Sequence, residues 1–134
     1  MTTQQIEQEN VALIRRGFEA FASGDMEKLR EVFHRDAKWR SAPAGVLGGD
    51  RYGLDAIFTM FGQLQRETNG TFQCVPNAFA PTGNQVFVRA IVTANRGARS
   101  LEDDVVLLYT LEDQRIREIR FYPGDYPANN TFWS

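Results

Sequence analysis

Apolar residues recur at helical spacing through the first half of this chain and at every second position through most of the second half. Ile6, Val11, Leu13, Ile14, Gly17, Phe18 and Phe21 form one stripe, with Arg15, Arg16 and Glu19 opposite, which predicts a helix over 5–22. Ser23-Gly24-Asp25 ends it: Gly24 suits the left-handed position after a helix, and Asp25 can cap the next one. The second helix is predicted over 25–34, burying Met26, Leu29, Val32 and Phe33 and breaking at His34-Arg35-Asp36. A short strand over 37–42 holds Trp39, and a Gly-rich loop runs over 43–50. Leu54, Ile57, Phe58, Phe61 and Leu64 mark a third helix over about 53–66.

From Gly70 the period changes from helical to alternating, and strands are predicted near 70–79, 84–95, 99–111 and 115–122, followed by a short aromatic tail. Helices first and a mostly antiparallel sheet after them make an α+β domain. In this order a curved sheet wraps the helices as a cone with a cavity inside, a place for a small molecule. The 134 residues suit a single domain spanning 1–134.

The last two strands decide what faces that cavity. A two-residue turn at Asp113-Gln114 pairs Leu111 with Ile116, Tyr109 with Glu118 and Leu107 with Arg120. One face then carries Val105, Leu107, Tyr109, Leu111, Ile116, Glu118, Arg120 and Tyr122. The other carries Asp104, Val106, Leu108, Thr110, Arg117, Ile119 and Phe121. A one-residue bulge would exchange the two faces of the last strand. With the first face inward, Glu118 and Arg120 enter a semi-enclosed space beside Tyr109 and Tyr122. There they hold a polar ligand, or Glu118 acts as a base of raised pKa. The plainer reading is a cross-strand ion-pair ladder.

Trp39 is expected in the pocket wall, and Ser41 shares its face two residues on. Asp125, in the Pro123-Gly124-Asp125 turn, either closes the pocket mouth, orients Arg40 or serves the turn. His34 is expected on the surface at a helix end. Arg96 and Arg99 flank a solvated hairpin tip, and Glu102-Asp103-Asp104 is an acidic surface patch or a salt-bridging element of a dimer.

Net charge is −2, which offers no field for nucleic acid or anionic lipid, and no apolar run approaches the roughly 20 residues of a membrane span. The single cysteine, Cys74, excludes an intrachain disulfide and is expected as a buried, inert thiol. With a polar N-terminus, these features point to the cytoplasm. No zinc spacing, phosphate loop or dinucleotide fingerprint occurs, so no metal and no cofactor are expected.

Taken in order, Phe21-Ala22-Ser23-Gly24-Asp25, Phe33, Asp36-Ala37, Trp39, Gly49-Asp50, Gly53, Asp55-Ala56-Ile57, Phe61, Gly70-Thr71-Phe72, Glu118, Pro123, Asp125 and Phe132-Trp133-Ser134 carry a resemblance over nearly the whole chain. The chain resembles the SnoaL-like proteins of the nuclear transport factor 2-like superfamily, to which ketosteroid isomerases and limonene epoxide hydrolases also belong. The resemblance implies the cone-shaped fold and, by family habit, a homodimer through the outer sheet face (Val106, Leu108, Ile119, Phe121, with Phe87 or Val88). Ketosteroid isomerase uses an Asp base with a Tyr and a protonated Asp. Those positions fall here on Ser41, Gly17 and near Leu107, so none of the three groups is present. The position after Trp39, often His in relatives, is Arg40, which stays charged.

Two functions follow. One is cofactor-free acid/base chemistry of isomerase or polyketide-cyclase type on a small hydrophobic molecule. Glu118 or Asp125 would be the base, and Arg40, Arg120 and Tyr109 would bind an oxyanion. The other is a ligand-binding or accessory module of the same fold without chemistry. An epoxide hydrolase would need an Asp–Arg–Asp set that these residues do not supply.

Overall fold

The structure, a computed structural model, describes residues 1–42 and 45–134; of the loop expected over 43–50, residues 43 and 44 lie outside the described residues. Helix α1 (Thr3–Ser23) opens with a capping box. Gln5 N–H donates to Thr2 Oγ1 at 3.1 Å and Thr2 N–H to Gln5 Oε1 at 2.8 Å. It ends at Gly24, whose φ of 72° is the left-handed conformation that glycine adopts without steric cost. Asp25 caps α2 (Met26–Val32) by accepting from Lys28 N–H at 3.1 Å. The chain passes directly into β1 (Phe33–Ser41), so His34 lies in a strand instead of at a helix end. There follow β2 (Arg51–Tyr52), α3 (Leu54–Glu67), β3 (Gln73–Thr82), β4 (Gln85–Arg96), β5 (Arg99–Glu112) and β6 (Arg115–Tyr122).

These strands form one six-stranded sheet in the order β2-β1-β6-β5-β4-β3, antiparallel except for the β1–β6 pair. Alternation buries Val86, Val88, Ala90 and Val92 of β4 and Leu101, Val105, Leu107, Tyr109 and Leu111 of β5 on one face. The stripes Leu13, Ile14, Gly17, Ala20 of α1 and Leu54, Ile57, Met60, Leu64 of α3 are buried in the same core. The α+β cone is therefore the observed architecture.

The turn at Asp113-Gln114 is a two-residue turn with φ of 52° and 60°, and Leu111 pairs with Ile116, both as expected. Beyond it the register shifts: Thr110 pairs with Glu118, Tyr109 with Ile119 and Leu107 with Phe121. Arg117 is the extra residue of a bulge. Ile119 and Phe121 therefore turn into the core, and Glu118, Arg120 and Tyr122 turn out. This corrects the assignment of Glu118, Arg120 and Tyr122 to the cone lining, and of Ile119 and Phe121 to the outer face. Val88 is likewise buried inside, whereas Phe87 and Val106 are exposed.

The aromatic tail forms a fourth helix, α4 (Tyr126–Trp133). Asp103, expected in a surface patch, is buried, because it shares the inward parity of Leu101 and Val105. Its carboxylate accepts from Gly124 N–H (3.1 Å), Asp125 N–H (2.9 Å) and Asn129 Nδ2 (2.6 Å). A Cβ at Gly124 would overlap the Asp104 carbonyl oxygen, so only glycine lets the chain pass. At the far end, Arg96 Nη1 donates to the carbonyls of Phe132 (3.1 Å) and Ser134 (2.8 Å), and Arg99 Nη1 to the same two oxygens. The expected solvated hairpin tip is thus a clamp on the tail.

Replacing Asp103 by Ala leaves three inward N–H groups without their acceptor. We expect a loss of about 3 kcal/mol in urea unfolding, with a smaller loss for Asp103→Asn, which keeps one acceptor oxygen. Equal stability of the Ala variant and the parent would contradict the role of Asp103 as the anchor of α4.

Candidate functional site

Between α1, α3 and the sheet lies a cavity of about 60 Å³. At about 10–15 Å³ for each water-sized position, it holds roughly four to six such groups. Its seventeen described lining residues are apolar or aromatic apart from Cys74 and Tyr109, and none carries a charge. Ile14, Gly17, Phe18 and Phe21 come from α1, Phe61 and Leu64 from α3, and Leu107, Tyr109, Ile116, Ile119 and Phe121 from the β5–β6 hairpin.

Trp39 stands in the wall as expected. Its indole N–H donates to the Leu47 carbonyl at 2.9 Å, which satisfies its one polar atom, and its ring stacks on Phe121 at 5.6 Å. Leu107 also lines the cavity. Tyr109 is buried, packs its ring 6.1 Å from Phe18 and brings a hydroxyl to the cavity lining. Burial, and secondarily the charge of a Cys74 thiolate, pushes the Tyr109 phenol well above its ordinary value. Burial pushes the Cys74 thiol up to about 12. Both stay protonated at neutral pH, so neither is a base there.

The polar residues gather elsewhere. Arg40, Ser41, Arg120 and Tyr122 border a cleft of about 320 Å³ where β1 and β6 end, together with Asp50 and Tyr126. Arg40 forms an ion pair with Glu118, and Arg120 Nε lies 3.8 Å from the same carboxylate. All three are partly solvated, which keeps the stabilisation to at most about 1 kcal/mol. This is the ion-pair arrangement, on the side of the sheet away from the cavity. Ser41 Oγ donates to the Ala42 carbonyl at 3.3 Å. Asp125 caps α4 by accepting from Ala128 N–H at 3.0 Å and reaches neither Arg40 nor the cavity. The turn reading of Asp125 therefore holds over pocket closure.

His34, Glu112 and Asp113 form a grouping whose ligand-type atoms lie within 4.8 Å of one another. The Asp36 N–H donates to His34 Nδ1 at 3.0 Å, which puts the proton of a neutral imidazole on Nε2. Neither ring nitrogen then presents a free lone pair to a metal.

Sequence reasoning passed over the aromatic wall as ordinary core. Phe21 and Phe61 meet edge to face at 5.1 Å, and Phe21 and Phe72 at 6.2 Å. On the other side of these rings, between α1, α3 and β3, runs a groove of about 740 Å³ that includes Ala22, Met26, Gly62 and Val75. Helical periodicity marked Phe21 and Phe61 as inward, and nothing in one sequence separates an aromatic filling a core from one dividing two spaces.

A model of the SnoaL-like domain matches residues 14–119. An uncharacterised protein of Mycobacterium tuberculosis is 27% identical over 123 residues, covering 91% of this chain and 94% of its own length. Among solved structures, Bal32a from a soil-derived mobile gene cassette superposes with a TM-score of 0.92 at 32% identity, covering 96% of this chain and 98% of that one. A nuclear transport factor 2-like protein from Burkholderia xenovorans LB400 superposes with a TM-score of 0.81 at 26% identity, again covering 96% and 98%. Among the described residues no helix is long and apolar enough to cross a membrane.

A thiol raised from 9.0 to about 12 exposes about a thousandfold less thiolate at pH 8 than an unperturbed one. Alkylation of Cys74 by iodoacetamide at pH 8 should therefore be slower in the native protein than in urea, by up to about that order. The sign for stability follows: the raised thiol adds no penalty below pH 9 and destabilises the fold progressively as pH rises from 9 toward 12. Equal alkylation rates in the two states would refute this.

Proposed function

The chain belongs to the SnoaL-like domain family, and we propose that within it this protein is a binding module for a small, uncharged, largely apolar molecule held inside the cone, with no acid/base step performed on it. One observation carries the reading: none of the described residues lining the cavity is a carboxylate, a histidine, a lysine or an arginine. An isomerase or cyclase step needs a group that exchanges a proton near neutral pH within reach of the bound molecule. Glu118, the residue best suited by type, is held outside by Arg40 and Arg120, and Asp125 is spent as a helix cap. Among the described residues the cavity lining offers only the Tyr109 hydroxyl and the Cys74 thiol, both neutral. An apolar ligand gains from burial there, and a single acceptor atom on it gives the Tyr109 hydroxyl a partner.

We further propose that two copies pair through the outer sheet face. Phe87, Val106 and Tyr122 are exposed on it, and Arg89, Arg120, Glu118 and Asp104 supply both signs of charge for a self-complementary two-fold contact. Light scattering at micromolar concentration should return the mass of two chains, reduced to one by Phe87→Glu. A one-chain mass for the unaltered protein would refute the pairing.

2-Pentanone, with six heavy atoms, suits the cavity. We expect it to bind, observed by ligand NMR, without turnover. Tyr109→Phe should weaken it about three- to tenfold through loss of one hydrogen bond, and leave benzene, which has no carbonyl acceptor, unchanged. Glu118→Gln should leave 2-pentanone binding unaltered; a marked loss in that variant would restore Glu118 to the site and remove the binding-module reading.

A further inference from the structure

The inner cavity and the outer groove share four lining residues, Phe21, Phe61, Phe72 and Cys74. We propose that they are two halves of one ligand channel, divided by the Phe21–Phe61–Phe72 rings, and that the channel takes an elongated, uncharged molecule whose leading end bears a hydrogen-bond acceptor for Tyr109. This rests on the reading of the cone as a binding site and extends it to where the ligand enters and what shape it has.

Size comes first. The cavity alone accepts about a six-atom fragment, whereas the adjoining groove is an order of magnitude larger. The dividing rings touch edge to face, at 5.1 Å for Phe21–Phe61 and 6.2 Å for Phe21–Phe72, with no hydrogen bond holding them, so ring rotation joins the two spaces.

Direction follows from the sheet. Cys74 pairs with Val92 and Tyr109 with Val86, six residues apart along β4, yet both side chains line the cavity. Cys74 also lines the groove and Tyr109 does not, so the path runs from the groove past Cys74 toward Tyr109. Tyr109 is the one hydroxyl-bearing residue among the described residues that line the cavity.

The groove is more polar than the cavity, with Ser23, Gln65 and Gln73 in its lining. No described residue lining the groove is charged, and Met26 and Val75 expose apolar surface at its mouth. A carboxylate or ammonium would lose its hydration on passing the rings into the cavity, where no described residue is charged to replace it.

The test is the series 2-pentanone, 2-heptanone, 2-nonanone and 2-undecanone, titrated by calorimetry against the full chain. Each added methylene buried in the groove should raise affinity about threefold to fourfold, so that 2-nonanone exceeds 2-pentanone by on the order of a hundredfold. Gly62 lies in the groove and not in the cavity, and a Cβ on it meets only the flexible end of Arg66 at 3.2 Å. Gly62→Leu should cut 2-nonanone affinity tenfold or more and leave 2-pentanone within twofold. Ala22→Trp, also in the groove alone, should act alike. Affinity that levels off at 2-pentanone would show the rings to be a fixed wall, ending the channel while sparing the cavity reading. A rise with length that both variants leave intact would send the tail elsewhere and overturn the channel as well. Failure of every ketone to bind would overturn the binding-module reading, and the channel with it.

Discussion

The extra residue at Arg117 governs the chemistry of this interior. Side chains alternate along a strand, so one unpaired residue exchanges the faces of everything beyond it. With the bulge between Thr110 and Leu111, Ile119 and Phe121 enter the cone, and Glu118 and Arg120 leave it. Without it, a carboxylate and a permanently charged guanidinium would face an apolar space and would have to offset their lost hydration by pairing with one another. Arg117 itself is taken up by Glu112, at 3.1 Å, and by the Asp36 carbonyl, which ties the bulge to β1.

An interior relieved of charge can be packed with rings, and this one is. Phe33, Phe58, Phe61 and Trp39 meet in a chain of edge and stacked contacts between 6.1 and 6.4 Å, continuing through Phe21 to Phe72 and Trp133. The polar requirements of the fold are met at the ends instead. Asp103 holds the start of α4, and Arg96 and Arg99 hold its finish. This division leaves the middle of the cone free of directional bonds, where rings can shift without breaking a hydrogen bond.

Most of the architecture was legible because it rests on periodicity. The three helical stripes and the inward set Val105, Leu107, Tyr109 and Leu111 follow from repeats of 3.6 and 2, and tertiary packing agreed with both. The site was legible only in part, because a bulge adds no residue type of its own. Its trace was present as a break in parity: Ile116, Ile119 and Phe121 cannot all lie on one face of an unbulged strand. The same parity placed Asp103 among inward residues, where its charge argued for the surface; the three N–H groups that make burial tolerable lie over twenty residues away. Asp125 followed by Pro127 carried the start of α4, which is short enough for its aromatic residues to read as a tail. Arg40, Ser41, Arg120 and Tyr122 do share one place, but in a solvated cleft outside the cavity, where both guanidinium groups lie against the Glu118 carboxylate.

Tyr109 is where stability and function part. A buried phenol left without a partner costs roughly 1–3 kcal/mol relative to one that is bonded. A phenylalanine would fill the same volume next to Phe18 without that cost, and ten other positions in this chain already use one. Packing therefore gives no reason for the hydroxyl, and acid/base chemistry gives none either, since burial holds it protonated. The binding reading proposed above gives one: an acceptor on the bound molecule. The surroundings limit that visitor: the walls reject charge, and the nearest other polar atom is a thiol with weak donor character. On the binding reading proposed above, an uncharged molecule with one well-placed oxygen gives the Tyr109 hydroxyl a partner and the apolar wall its contacts.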